Sequence, residues 1–501
     1  MATTDSDVAN APQAYEKLID RYERVSNLNY ASMYLNWDQQ VTMPEAGAAG
    51  RARQLSALSE TTHELLTDEA VGDWLAALEE ADLDPGEAAN VREIRRDYER
   101  REAVPADLAA EITETASENQ QIWQDAKAED DFEAYAPRLE RTRDLQVERA
   151  EHVDPETSPY EVMYEDSHPY LPIETIERVF ERLADELPAM VATIRAEGDE
   201  LPRVEEPTDE ETQREISERA LDFLGYDRSR GRLDTAPHPF MAGNQFDARV
   251  TTRFNPEDPM DPLTATVHEF GHATYQLGLP TEHYGTPLGE SVGSIHESQS
   301  RFWENHVGRT KPFWEAFLPE IDDLPGYDVT PQEAYEAANR IYPDNLIRVE
   351  ADELTYHMHI ILRSEIGRQF VEGDLAVEDV PQAWNDGMDE YLGVRPETDA
   401  EGCLQDIHWT SRFAAFQGYT VGSVLAAQID ATVRDDLDVD GLVREGEFEP
   451  IHDWMVENVH SHGKRYTTPE LIEEATGEAL TADYFLEYAR EKFSSLYGVS
   501  L

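Results

Sequence analysis

His268-Glu269-Phe270-Gly271-His272 are the residues whose types and spacing could carry chemistry in this chain. Residues four apart lie on one face of a helix, so His268 and His272 can grip a single metal ion. Glu269 follows the first histidine directly and is rotated about 100° around the helix axis. It therefore faces a water at the ion rather than the ion itself, which suits a general base. Chance alone yields this pattern about 0.05 times in a chain of such composition. A third ligand must come from a neighbouring segment. Glu297, in Ser294-Ile295-His296-Glu297-Ser298-Gln299, would complete two histidines and a carboxylate with one position open for water. Two alternatives stand beside it. Ser294 and Glu297 have the spacing of a capping box, which would use that glutamate only to start a helix. His296 and His283 are rival donors.

The surrounding sequence supplies the elements that must hold these groups. Asp261 reads as an N-cap, Pro262 as the first helical residue, and Gly278 with Pro280 as the stop. Leu263, Val267, Phe270, Thr274 and Leu277 form a core-facing stripe beside the histidines. Upstream, residues 11–150 read as successive amphipathic helices with turn clusters such as 82–86. Residues 155–172 read as a loop, 173–198 and 208–224 as helices. The texture then changes to Pro, Gly and Asn, and Phe246-Asp247-Ala248-Arg249-Val250-Thr251-Thr252 alternates in period two, the best strand candidate. Helical patterning resumes after Pro262. The expectation is a mostly α-helical protein with one small sheet among the helices. It is read as a single two-lobed domain spanning 1–501, with a helical part over about 1–230 and a catalytic part over about 231–501.

Composition narrows the class. The 501 residues hold 41 Lys+Arg against 106 Asp+Glu, a formal charge of −65. Nucleic-acid and anionic-membrane binding both need a basic footprint, so neither is expected. Hydrophobic residues at 40% and aromatics at 9% are enough for a large core rather than disorder. Dense carboxylates repel one another in dilute buffer, and molar salt shortens the Debye length to about 3 Å, so the reading is a protein adapted to high salt. The lone Cys403 excludes an internal disulfide and a Cys-rich metal site, and reads as a small buried residue. Residues 1–10 lack a basic region followed by an apolar core, and the weakly polar stretch 418–429 falls short of the ~20 residues that span a bilayer. A cytoplasmic protein is expected.

Further motifs follow one another in order. They are Trp37-Asp38, Met43-Pro44 and Arg51-Ala52-Arg53-Gln54, then His238-Pro239-Phe240 and Asp247-Ala248-Arg249-Val250-Thr251. Beyond the histidine helix and His296-Glu297-Ser298-Gln299 come Ile347-Arg348-Val349-Glu350-Ala351-Asp352 and Gly402-Cys403-Leu404-Gln405-Asp406-Ile407-His408-Trp409. Over nearly its whole length the chain resembles the thermostable carboxypeptidase Taq family of zinc metallocarboxypeptidases. The resemblance implies a neurolysin-like helical cleft fold, with a small β-sheet lining the active-site groove. It also implies one Zn2+ per subunit, a homodimer, and release of C-terminal amino acids from peptides with broad specificity. Co2+ also suits two histidines and a carboxylate. Carried onto this chain, the metal ligands fall on His268, His272 and Glu297 and the general base on Glu269. One departure is visible. The family's Phe-Pro-Thr-Tyr reads Phe416-Gln417-Gly418-Tyr419 here, so the tyrosine survives and the proline does not.

That chemistry assigns further roles. Glu269 takes a proton from water and hands it to the leaving amine. His408 and Tyr419 are the candidate oxyanion donors, with packing beside Trp409 and an ordinary helix tyrosine as the bland alternatives. A free α-carboxylate is best met by arginine, whose fork pairs both oxygens. Arg348 is the first candidate, although it could instead bridge to Glu350 or Asp352. Arg249 is the second, and His238 and Asp247 are assigned to cleft shape and to hydrogen bonds behind the ligands. Two rival functions remain: a zinc oligopeptidase or endopeptidase, and a non-catalytic helical binding protein with a structural metal. Glu269 counts against the latter, since a structural site has no use for it.

Overall fold

Local signals set several of the helix starts in this chain. Asp84 accepts from the backbone of Gly86 and Glu87 while Glu87 reaches back to the Asp84 amide, and Pro85 takes the first helical position, so helix entry is fixed within four residues. The computed structural model describes residues 11–204 and 207–501. The first ten residues, on which the expectation of no export signal partly rests, lie outside the described residues.

Before the sheet run α1 (Ala11–Val41), α2 (Ala48–Leu66), α3 (Glu69–Ala77), α4 (Pro85–Glu102), α5 (Ala106–Glu129) and α6 (Phe132–Val153). They are followed by α7 (Pro159–Ser167), α8 (Ile173–Glu197) and α9 (Glu210–Phe223). The sheet comprises β1 (Leu233–Thr235), β2 (Met241–Gly243) and β3 (Ala248–Thr252). Beyond it lie α10 (Met260–Gly278), α11 (Gly293–Arg301), α12 (Lys311–Phe317), α13 (Pro331–Ala338), α14 (Thr355–Glu372) and α15 (Val380–Leu392). The chain finishes with α16 (Gln417–Asp436), α17 (Val439–Glu445), α18 (Glu449–Asn458), α19 (Thr468–Thr476) and α20 (Asp483–Tyr497). Two of the sequence expectations need correction. Residues 155–172 are not a plain loop, because Ser158 caps α7 by accepting from the Glu161 amide, and Pro159 opens that helix. Asp261 does not cap α10. The helix starts at Met260 without a side-chain cap, and Asp261 instead takes Arg253 in a two-pronged pair, both contacts at 2.8 Å. A bidentate charge-assisted pair outcompetes a single cap bond.

Central strand β3 pairs parallel with β1 (Leu233 opposite Val250) and antiparallel with β2 (Met241 opposite Val250). Its buried Ala248 and Val250 face the interior, and the strand packs directly on α10. Strand β3 falls within the predicted run 246–252, whose first two residues belong to the connecting loop. Among the described residues, buried apolar side chains form two clusters. The larger extends from Trp123 to Tyr497 and contains Val267, Phe270 and Ile295 around the helix that carries His268 and His272. The smaller joins α1 to α4 through Leu18, Val25, Leu66, Leu75 and Ile94. Among the described residues no helix is long and apolar enough to cross a membrane.

Candidate metal centre

Glu297 meets the two histidines because three helices approach closely around it. A Cβ on Gly271 of α10 would lie 2.5 Å from the Ser300 Cα of α11, and one on Gly422 of α16 would lie 2.4 Å from the Glu297 Cγ. Neither approach tolerates a larger residue without displacement. Helix α11 is thereby pressed between α10 and α16 with Glu297 turned toward α10. The ligating atoms of His268, His272 and Glu297 lie within 4.8 Å of one another. His268 Nε2 is 3.7 Å from Glu297 Oε1 and His272 Nε2 is 3.5 Å from Oε2. The capping-box alternative is not formed: α11 has no side-chain cap. His296 stacks on the His272 ring at 4.4 Å and contacts Gln276 through Nε2. Burial, then His272, pushes its pKa well below the usual histidine range. His283 lies in a separate short turn, Thr281–His283.

The donor set fits a divalent ion. His268 Nδ1 is 2.8 Å from Glu304 Oε2, and His272 Nδ1 is 3.1 Å from the His296 carbonyl. Both acceptors fix the Nδ1–H tautomer, which leaves the two Nε2 lone pairs facing Glu297. Burial alone would raise the Glu297 carboxyl, but His268, Arg301 and His272 outweigh it and hold the group at about 2. The same balance, led by burial and reversed by Arg309 and Arg301, holds Glu304 well below the usual range. Glu269 behaves oppositely. It is 6% exposed, its Oε2 has no hydrogen-bond partner, and burial lifts its carboxyl above the ordinary value against the pull of His272 and His268. A buried carboxylate with an unused oxygen beside the ligand set is equipped to take a proton.

Glu304 and Arg301 were not singled out in the sequence. Arg301 donates to Glu297 at 3.1 Å and to Glu304 at 3.0 Å, and Arg309 is 2.6 Å from the other Glu304 oxygen. Glu304 stands seven residues after Glu297, two turns along the same face, and that spacing was the available signal. Its segment, Phe302–Gly308, is π-helical, a geometry frequent at functional sites.

A second cluster adjoins the first. Arg348 is 7% exposed, and its amide is held by Gln405 Oε1 at 2.8 Å. Its guanidinium lies over Phe416 and Tyr419 at 5.5 and 5.9 Å, with Tyr356 Oη at 3.4 Å and Asp406 at 3.7 Å. Neither Glu350 nor Asp352 pairs with it: Asp352 is spent on the amides of Tyr342, Leu354 and Thr355. Asp406 accepts from Arg363 at 2.8 Å and from His408 Nδ1 at 2.7 Å. His408 is thus left with Nε2, which donates only when the ring carries both protons. The Tyr419 hydroxyl has no hydrogen-bond partner among the described residues, and burial followed by Glu297 raises its pKa.

The remaining candidates lie elsewhere in the hydrogen-bond network. Asp247 grips Arg249 at 3.0 and 2.6 Å, and the Arg249 guanidinium also lies over Trp37 at 4.3 Å and Tyr34 at 4.8 Å. The groups behind the ligands are therefore Glu304 and the His296 carbonyl, while Asp247 serves Arg249. His238 is exposed in the approach to β2. Cys403 is buried, as expected.

Comparison with known proteins identifies the family. Residues 17–493 match the family described as carboxypeptidase Taq (M32) metallopeptidase. Thermostable carboxypeptidase 1 of Thermus thermophilus is 37% identical, with 97% of this chain and 99% of that protein covered. Carboxypeptidase 1 of Bacillus subtilis is 34% identical, with 96% and 99% covered. The crystal structure of M32 carboxypeptidase from Deinococcus radiodurans R1 superposes with a TM-score of 0.92 at 37% identity, covering 97% of this chain and 100% of that one.

Proposed function

The chain belongs to the carboxypeptidase Taq (M32) metallopeptidase family and is a metallocarboxypeptidase, and we propose that His268, His272 and Glu297 hold its metal while Glu269 and Arg348 divide the remaining work. Zinc is the ion we infer, since two imidazoles and one carboxylate with an open position are its usual catalytic set; cobalt fits the same donors. A divalent ion held there supplies Lewis acidity, which acidifies a water and polarises a carbonyl oxygen near neutral pH. Glu269 Oε2 takes one proton from the attacking water as its oxygen bonds the scissile carbonyl carbon. The same carboxyl returns that proton to the leaving nitrogen as the C–N bond breaks, so one water is consumed and one amino acid is released. Tyr419 donates its hydroxyl proton toward the carbonyl oxygen as charge builds there, and His408 Nε2 does so when its ring is doubly protonated. Arg348 holds the terminal carboxylate and so sets which bond meets Glu269.

The observation that carries this reading is an arginine, 7% exposed, within ring contact of Tyr419 and without a full partner. A buried cation left this incompletely paired is costly unless a ligand completes it. The test compares an N-blocked dipeptide with its C-terminal amide. Wild-type enzyme should cleave the acid far better, a chelator should abolish both reactions, and Arg348→Ala should lower kcat/KM on the acid by about 30- to 4,000-fold. Equal cleavage of acid and amide by wild type would replace the carboxypeptidase reading with an oligopeptidase one. We further read the chain as one peptidase domain that works as a homodimer in a salt-rich cytoplasm. Sedimentation that shows a monomer in molar KCl would remove the dimer.

A further inference from the structure

Resting on the assignment of Arg348 as carboxylate anchor, we propose that Tyr356 is the second donor to the substrate's terminal carboxylate, its hydroxyl taking the oxygen that the Arg348 fork presents to it. Tyr356 sits in the first turn of α14, eight residues after Arg348 and half-buried. Three charged or aromatic neighbours fix its ring. Arg301 lies over one face at 5.4 Å, the Tyr419 ring meets it edge-on at 6.0 Å, and Arg348 Nη1 reaches its oxygen at 3.4 Å. Through Arg301 the ring is tied to Glu297 and Glu304, and through Arg348 to the anchor, so it bridges the two clusters.

The hydroxyl is used on one side only. It accepts from Arg348, and among the described residues nothing accepts its proton. A tyrosine hydroxyl both donates and accepts, and this one holds its proton in reserve beside a guanidinium. The guanidinium itself has five N–H donors and spends them on one long contact to Tyr356 and a 3.7 Å approach to Asp406. An oxygen about 2.8 Å from Nη1 and about 2.7 Å from the Tyr356 hydroxyl closes a triangle on the observed 3.4 Å side, both within ordinary hydrogen-bond lengths. One carboxylate oxygen can therefore sit between arginine and tyrosine while the other takes a second guanidinium N–H. An amide nitrogen at that corner would present a donor to a donor, so the pair also discriminates between acid and amide. Tyr419, whose hydroxyl is equally free and whose ring lies against both Arg348 and Tyr356, is left for the scissile carbonyl. The two tyrosines thus act on different atoms of the same substrate.

Tyr356→Phe removes the hydroxyl and keeps the ring, so its contacts with Arg301 and Tyr419 persist. Steady-state kinetics on the N-blocked dipeptide and its C-terminal amide read the result. KM for the acid should rise by roughly 10- to 100-fold, the range for a hydrogen bond to a charged group, with kcat within about threefold. The amide should be cleaved with nearly wild-type kcat/KM, so the acid-to-amide ratio falls. Tyr419→Phe should instead lower kcat on both substrates alike. A Tyr356→Phe enzyme that keeps the wild-type ratio, or that loses kcat equally on acid and amide, overturns the proposal. If wild type itself shows no preference for the acid, the anchor assignment fails first and the result is read against that assignment.

Discussion

Around His268, His272 and Glu297, the proposed metal ligands, buried charge meets opposite charge from this same chain. Glu304 contacts His268 at 2.8 Å, Arg301 at 3.0 Å and Arg309 at 2.6 Å, and Arg301 returns to Glu297 at 3.1 Å. Around Arg348 the balance is incomplete, because Asp406 is turned mainly to Arg363 and His408 and stays 3.7 Å away. Both regions are buried islands of charge in the larger core, so burial does not separate them. What separates them is who supplies the missing partner. On the proposed reading the first cluster takes a cation, and the partners behind His268 and His272 already hold both rings for it. Arg348 is short of an anionic partner, and on the proposed reading the substrate's terminal carboxylate is the anion that arrives and departs with each turnover. A site that must let go of its ligand is better left underpaired than saturated.

The largest effect should come from the one acid of the first region that is not paired. Glu269→Gln keeps size and shape but cannot accept a proton, so kcat should fall about 10³-fold, while metal content measured by atomic absorption and the acid-to-amide ratio stay near wild type. Loss of metal in this variant would show that Glu269 belongs to the paired network and would blur the contrast. A variant with more than about a tenth of wild-type kcat would remove Glu269 as the base.

Glu304→Gln should give an intermediate effect, on binding of the ion rather than on the chemical step. The amide oxygen can still accept from His268 Nδ1, but the charge that faces Arg301 and Arg309 is gone. Metal affinity should drop about 10- to 100-fold in a competitive chelator titration, with KM for the acid unchanged once the site is saturated. Equal metal affinity in the variant and wild type would mean that the pairing behind His268 is packing and not preparation.

Much of the first region was legible because helical spacing is a local property. His268, Glu269 and His272 follow from a period of 3.6 residues, and the stripe from Leu263 to Thr274 is buried as the pattern requires. Legibility weakened wherever two segments had to meet. Gly271 and Gly422 mark no turn, and only the crossing of α10, α11 and α16 explains why each lacks a side chain. Tyr356 carries no sequence signal at all, since a tyrosine at a helix start is commonplace and its meaning depends on Arg348 and Arg301 lying on either side. The misread loop at 155–172 is different. Ser158 and Pro159 were a helix start in plain view, masked by the density of Pro, Ser and Asp around them. Asp261 was read by its preference for capping, and a nearby Arg253 offered it a stronger partner.

Arg249 gives the smallest expected effect and the sharpest check on the contrast. It sits in a sequence motif of the same kind as Arg348, and from sequence either arginine could meet a carboxylate. In the structure its guanidinium is already occupied: Asp247 takes Nε and Nη2, and Trp37 and Tyr34 cover it at 4.3 and 4.8 Å. An incoming carboxylate would have to displace Asp247, exchanging one ion pair for another with little net gain. Arg249→Ala should therefore change the acid-to-amide ratio by no more than about threefold, less than ~0.7 kcal/mol. Its cost should fall on stability, because Trp37 and Tyr34 lose a stacked partner worth about 0.5–1 kcal/mol each. If the ratio instead collapses in Arg249→Ala while Arg348→Ala preserves it, saturation by internal partners is no guide to which arginine serves the substrate, and the anchor moves to β3.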